Sequence, residues 1–178
     1  MTVHGPLRAR LAAQYARDNR GIIVGPQGTV TSPPLMHSYL QFLTRRRIPA
    51  FWDPGFEPEP TALDWSTERV APRLMRWADY TPGPYVPEGE VHAHRGVVWP
   101  WRGDIVVFGG DRGHLGIYLD HEGEGLDATW EVFTQGPKPA ATYRYPVHDL
   151  LPLGWWRVQD EWISKRDQPT RSLPRVVT

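Results

Sequence analysis

The 178-residue chain contains no cysteine. That excludes disulfides, zinc–thiolate sites and a cysteine nucleophile together. It also lacks any excess of charge: 20 Lys and Arg balance 20 Asp and Glu, a formal net charge of zero. A nucleic-acid binder carries a basic surplus, so no nucleic-acid partner is expected. No apolar run is long enough for a bilayer, and no membrane span is expected. The opening Met1-Thr-Val-His-Gly-Pro6 lacks the charged-then-apolar pattern of a secretory signal, so none is expected there. The glycine-rich stretch 21–30 is not a phosphate loop, because no Lys-Ser or Lys-Thr follows it. The chain has no internal repeat. One domain is the natural expectation at this length, and such a chain buries a core without covalent staples.

Tryptophan and proline are the residues in surplus, with 9 and 19 copies. Proline favours rigid, extended connections over long helices. Tryptophan suits a carbohydrate or peptide groove, and equally the filling of cores and interfaces.

The chain is organised around residues 100–120. Two short runs there, 105–108 and 115–119, are rich in β-branched and aromatic residues and read as buried strands. Gly109-Gly-Asp-Arg-Gly113 between them reads as a tight glycine turn. His114 then stands where the second strand begins, so a rigid sheet would hold its imidazole. Further strands are expected at 129–135, 141–145 and 154–158, and a weaker one at 73–80. Residues 136–139, Gly-Pro-Lys-Pro, make the turn between two of them.

Two helices are expected before the sheet. The first spans 7–17, with Leu7, Leu11 and Tyr15 at helical spacing and Pro6 in its opening turn. Arg8, Arg10 and Arg17 are assigned to its solvated face. The second opens at Thr31-Ser-Pro-Pro34, with Ser32 as N-cap and Pro33 as first helical residue. Leu35, Tyr39, Phe42 and Leu43 form its apolar face, and Arg45-Arg-Arg47 closes it against the helix dipole. Leu63 and Trp65 anchor a helical turn at 61–66. Residues 81–99 read as irregular. Their His92 and His94 read as surface-loop histidines, since no carboxylate or third histidine stands at a ligand spacing. The segment 164–178 is basic, proline-containing and poor in apolar residues. Alone it would be disordered, and it is expected to order only against another surface, such as a neighbouring subunit.

Taken together, the helix near Leu35, Gly103-Asp-Ile-Val-Val-Phe108, Gly113-His-Leu-Gly-Ile-Tyr118, Val132-Phe-Thr-Gln-Gly-Pro137 and Gly154-Trp-Trp-Arg157 resemble a CHAP domain. These are the cysteine- and histidine-dependent amidohydrolase/peptidase domains of papain-like fold, found in phage lysins and phage tail proteins, which cut the peptide part of bacterial peptidoglycan. The resemblance runs from Gly28 to Val158, with residues 88–98 as an insertion. The strands at Gly103-Asp104 and Gly113-His114 are its most specific part. It implies an α+β fold of papain-like type, N-terminal helices packed on an antiparallel sheet. It divides the chain into an N-terminal helix and loop at 1–27, a CHAP-like domain at 28–160 and an extended tail at 161–178.

The family places a cysteine at the start of its first core helix, where the helix N-terminus lowers the thiol pKa. Ser32 matches that position, and His114 matches the family histidine. The family's imidazole-orienting residue lies on or just after the next strand, where this chain has Thr134, Gln135 and Gly136. Two departures thus fall on the chemistry. A serine hydroxyl replaces an easily ionised thiolate and needs a well-oriented base. The orienting acid is also missing: Glu131, the nearest, is offset onto the opposite strand face. Pro33 removes an N–H that could serve an oxyanion. Asp104 reads as a cap of the turn before its strand. Trp99, Trp101, Trp155 and Trp156 read as walls of a remnant groove or as core. Asp18 and Asn19 are too few for the calcium loop of some family members. No metal or cofactor is expected.

Three functional expectations follow from this resemblance. The first is a catalytically inactive CHAP-like module, a structural or binding component of a phage virion, tail-associated. Its partners would be other phage structural proteins or copies of itself, reached through 164–178. The second is an active peptidoglycan amidase or endopeptidase using Ser32 and His114, held in the host cytoplasm before release as a lysin. The third is a module that binds cell-wall peptidoglycan without cutting it.

Overall fold

A computed structural model describes residues 5–22, 32–51, 55–56, 60–66, 70–86, 88, 90–91, 97–109, 113–135 and 139–163. Helices α1 (Gly5–Asp18) and α2 (Ser32–Thr44) come first. A 3-10 turn at Leu63–Ser66 and the one-turn helix α3 (Ala71–Leu74) lead into strand β1 (Ala78–Pro82). Strands β2 (Ile105–Phe108), β3 (His114–Glu122), β4 (Thr129–Thr134) and β5 (Ala141–Pro146) follow. Helix α4 (Val147–Leu150), strand β6 (Gly154–Val158) and helix α5 (Asp160–Ile163) close the described part. The six strands form one antiparallel sheet in the order β1-β6-β2-β3-β4-β5. The architecture is thus mixed helix and strand, as expected for an α+β chain. The two histidines at 92 and 94 and the tail 164–178 lie outside the described residues, so the expectation about what the tail contacts lies outside them too.

The sheet sits mid-chain because its strands carry the densest apolar runs. All four residues of β2 are buried, as are Leu115, Ile117 and Tyr118 of β3. Such burial of β-branched and aromatic side chains is the main favourable term for a sheet of this kind. In-register pairing sets the two faces. Ile117 pairs with Phe133 and Ile105 with Trp156, and Phe133 meets the Tyr15 ring edge-on at 6.2 Å. Tyr15 in turn packs on Tyr39, so α1 and α2 cover this face. The alternate residues, Phe108, Gly116, Tyr118, Val132 and Trp130, form the other face.

Two expectations need correction. Arg8 is not on a solvated face: it is fully buried. Its guanidinium donates to the Val158 carbonyl at 2.7 Å and pairs with Asp160 at 2.6 Å, tying α1 to the end of β6. Gly103 is required beneath it, because a Cβ there would lie 2.7 Å from Arg8 Cγ and the backbone φ is +100°. Of the strand expected at 73–80, only 78–80 is strand: 73–74 end helix α3 and 75–77 are turn. Pro72 at the start of α3 and the burial of Leu74 close a helical turn first, and the strand begins only at Ala78. The irregular stretch that follows carries one isolated bridge, Tyr85 to Val91.

Candidate functional site

The four residues singled out by the sequence meet at one end of β3. Ser32 opens α2 and is 3% exposed, and its Oγ accepts the Leu115 backbone N–H at 2.9 Å. Thr134, the last residue of β4, donates its hydroxyl to the Leu115 carbonyl at 2.5 Å. The reason lies in the register. The ladder between β3 and β4 begins at the pair Gly116 and Thr134, one residue beyond Leu115. Leu115 therefore has peptide groups at the end of the ladder, where no β4 residue stands opposite. Two side-chain hydroxyls take the place of the missing strand partner, one accepting and one donating, so the buried peptide stays hydrogen-bonded.

This changes the reading of Ser32 as an N-cap. Pro33 and Pro34 have no N–H, so the first turn of α2 offers a capping hydroxyl little to hold. The hydroxyl is instead spent across the interface between α2 and β3. It holds the helix start against the strand rather than capping its own helix.

His114 lies one residue from that contact and faces the other way. Neighbouring residues on a strand point to opposite faces. Leu115 shares its face with Ile117 and the helices, while His114 pairs with Phe108 and stacks on its ring at 5.8 Å and 29°. Phe108 continues to Tyr145 at 6.2 Å, so the imidazole belongs to an aromatic row on the face away from α2. Gly109 makes room for it: a Cβ there would come within 2.9 Å of the imidazole Cδ2, and the backbone φ is +91°.

Gln135 is 1% exposed, and neither its amide oxygen nor its amide nitrogen has a hydrogen-bond partner. A buried amide left this way costs about 1–3 kcal/mol. Gly136, the next residue in the family pattern, lies outside the described residues. A slot of about 140 Å³ adjoins the start of α2, walled by Pro33, Pro34, His37, Phe51, Pro60 and Trp65. His37 Nε2 lies 2.9 Å from the Ile48 carbonyl, which holds its ring against the edge of Phe51.

The other end of β3 is built from charge and aromatic rings. Asp104 caps the turn before its strand as expected, accepting the Trp101 N–H at 2.8 Å. Its second partner is 53 residues away in the chain, beyond any local pattern. Arg157 grips both carboxylate oxygens at 3.0 and 2.8 Å and stacks 3.7 Å over Trp101. Burial pushes the Asp104 carboxyl above its ordinary value, against the pull of Arg157 and the Trp101 N–H. Tyr39 donates to the Gly103 carbonyl at 2.7 Å, and burial raises its phenol well above the usual range. At the surface Arg102 pairs with Asp120 at 2.7 Å and lowers that carboxyl.

Of the four tryptophans weighed as groove walls, Trp155 and Trp156 are core, each 1% exposed. Trp101 carries Arg157, and Trp99 lines a cleft at this far end with Tyr118, His121 and Trp130. Sequence reading missed that cleft because its walls come from two stretches, 99–100 and 118–130, that only the folded sheet brings together. Among the described residues no group of three His, Asp or Glu side chains could hold a metal ion, and no helix is long and apolar enough to cross a membrane. Comparison with protein-family models, curated proteins and solved structures returned no match.

Proposed function

We propose that the chain is a catalytically silent module on a papain-like, CHAP-type scaffold, serving as a structural or binding part of a bacteriophage particle, in its tail. The observation that carries the silent reading is the use of both hydroxyls. Ser32 and Thr134, the residues aligned with nucleophile and orienting position, close the Leu115 peptide. A serine nucleophile needs its hydroxyl presented to substrate and hydrogen-bonded to a base. Here it is buried against main chain, and the imidazole of His114 lies on Phe108. Pro33 and Pro34 also withhold the first N–H groups of α2, which would otherwise be natural oxyanion donors. The phage assignment rests on the sequence resemblance alone: the Gly113-His114 and Gly103-Asp104 strands and the closing Gly154-Trp-Trp-Arg157.

A gel assay with embedded actinobacterial cell walls tests the reading on wild type, Ser32→Ala and His114→Ala. No clearing by any of the three is expected. Clearing by wild type that disappears in Ser32→Ala would overturn the proposal and reinstate a serine hydrolase. Sedimentation with purified peptidoglycan separates the two forms of the silent reading. Retention on the pellet favours a binding module, and its absence favours a purely structural one.

A further inference from the structure

The slot of about 140 Å³ at the start of α2 is apolar. Phe51 and Trp65 are buried and make its floor, while the half-buried Pro33, Pro34 and His37 and the exposed Ala50 frame its mouth. His37, the one polar wall, already has its Nε2 at the Ile48 carbonyl. An apolar cavity of about 150 Å³ takes a single benzene ring, whereas drug-sized ligands need about 300 Å³ or more. The slot therefore suits one apolar side chain. Such a side chain stands beside it. Phe56 is 88% exposed, and it follows Gly55, whose φ is +98°. A Cβ added at Gly55 would meet nothing within 4 Å, so this turn stands clear of the body. A lone exposed apolar residue is ordinary. This one is four residues from Pro60, itself a wall of the slot, and so within about 14 Å of it. Charge matches as well. In the sequence Asp53, Glu57 and Glu59 flank Phe56, with no basic residue among 53–60. His37 and Ala50 also wall a neighbouring groove of about 600 Å³, where Arg47 is the one charge among the described residues.

We infer that the slot receives Phe56 from a second copy of this chain, in a mutual exchange about a two-fold axis. A knob and a hole side by side on one surface form a self-complementary patch, because the rotation that seats one Phe56 seats the other. The same rotation carries an acidic stretch of sequence toward the Arg47 groove of each copy, where opposite charges attract. Two aromatic side chains bury about 300–500 Å². A stable interface buries about 1,200 Å² or more in total, so the dimer is a weak one whose population rises with concentration. The contact uses neither Ser32 nor His114 and is independent of whether that end is silent.

The test is sedimentation velocity of the full chain at low salt over a wide range of concentration, where a reversible monomer–dimer equilibrium is expected. Phe56→Ala removes both insertions and should weaken the dimer about a hundredfold or more, tenfold for each ring. Ala50→Trp fills the mouth of the slot and should do the same. Both residues are exposed, so an unchanged urea midpoint separates a lost contact from a lost fold. Arg47→Glu should weaken the dimer about threefold or more. The decisive step mixes the two blocked variants. The Ala50→Trp chain still offers Phe56 and the Phe56→Ala chain still offers a slot, so together they should form a heterodimer about tenfold weaker than wild type. No heterodimer in that mixture would overturn the proposal. So would a wild type that stays monomeric at the highest concentration, or a dimer indifferent to Phe56→Ala, which would place the interface elsewhere. A dimer lost in Phe56→Ala but kept in Ala50→Trp would overturn the slot as the receptor of the ring.

Discussion

The two ends of strand β3 solve the same problem in opposite ways. Each must hold buried polar groups where the sheet stops. At the His114 end the polar side chains are neutral: Ser32, Thr134 and Gln135, all buried and gathered around the last peptide of the ladder. At the Asp120 end the buried group is a charge, Asp104 held by Arg157, with the exposed pairs Arg102–Asp120 and Glu122–Arg144 beside it. At the neutral end the hydroxyls are turned onto main chain beside a slot of about 140 Å³, and the charged end adjoins a cleft of about 620 Å³. The larger cleft of the two thus lies at the end of β3 away from His114.

The strongest way to break the contrast is to remove the charge that braces the far end. Asp104→Asn leaves Arg157 without its carboxylate, and a guanidinium with a side chain only 23% exposed cannot simply turn to water. A loss of about 2 kcal/mol is expected, from the bidentate acceptor that Arg157 loses; it falls below the range for breaking a buried pair because burial already disfavours the Asp104 charge. Urea unfolding of the two proteins measures it. The pH profile carries a second signature. A carboxyl whose folded pKa is raised contributes most below its unfolded pKa, and the contribution falls as pH rises through the folded value. Asp104 is such a group, so this component of the wild-type profile should vanish in Asp104→Asn. Asp120 has the opposite sign, since Arg102 lowers its carboxyl. Its contribution is present above the ordinary carboxylate range and is lost as pH falls below it, in both proteins. An unchanged midpoint in Asp104→Asn would mean the far end is not braced by this pair.

At the near end the expected effect is smaller. Ser32→Ala leaves the Leu115 N–H buried without its acceptor, which costs about 1–2 kcal/mol. The sign matters more than the size. Residues kept for catalysis are commonly held at a cost in stability, so their removal often stabilises a protein. A rise in unfolding midpoint for Ser32→Ala would therefore count against the structural role of the hydroxyl. A fall, with Ser32→Cys in between as a weaker acceptor, supports it.

The sheet was readable from sequence because its signal is local. The runs at 105–108 and 154–158 match β2 and β6 end to end, since continuous β-branched and aromatic stretches bounded by glycine admit few other structures. The paired helices were readable for the same reason: Leu7, Leu11 and Tyr15, or Leu35, Tyr39 and Leu43, show the helical period directly. The resemblance paired Ser32, at the start of α2, with His114 on β3, but that His114 faces away from α2 was not visible. It depends on which strand face the helices cover, a tertiary choice. Arg8 shows the same limit. Its partners are 150 and 152 residues away, and at the level of helix 7–17 an arginine beside apolar residues reads as solvated. Arg157 and Asp104 are likewise joined only by the folded sheet.

Gln135 offers the smallest effect and the finest discrimination between the two ends. In the family pattern this region orients an imidazole, a task that needs an amide or acid aimed at the ring. In the structure its amide is buried with both atoms unpartnered, and it lies beside the Thr134 contact. If the amide has no task, replacing it by an apolar side chain of similar length removes only a desolvation cost. Gln135→Leu should then leave stability unchanged or raise it by up to about 1 kcal/mol, read as the midpoint of urea unfolding at constant slope. If instead the amide anchors a polar network with His114, the leucine strands that network's other members and stability falls. Then the near end would be a preserved polar site rather than one turned onto main chain, and the contrast along β3 would narrow to charge alone.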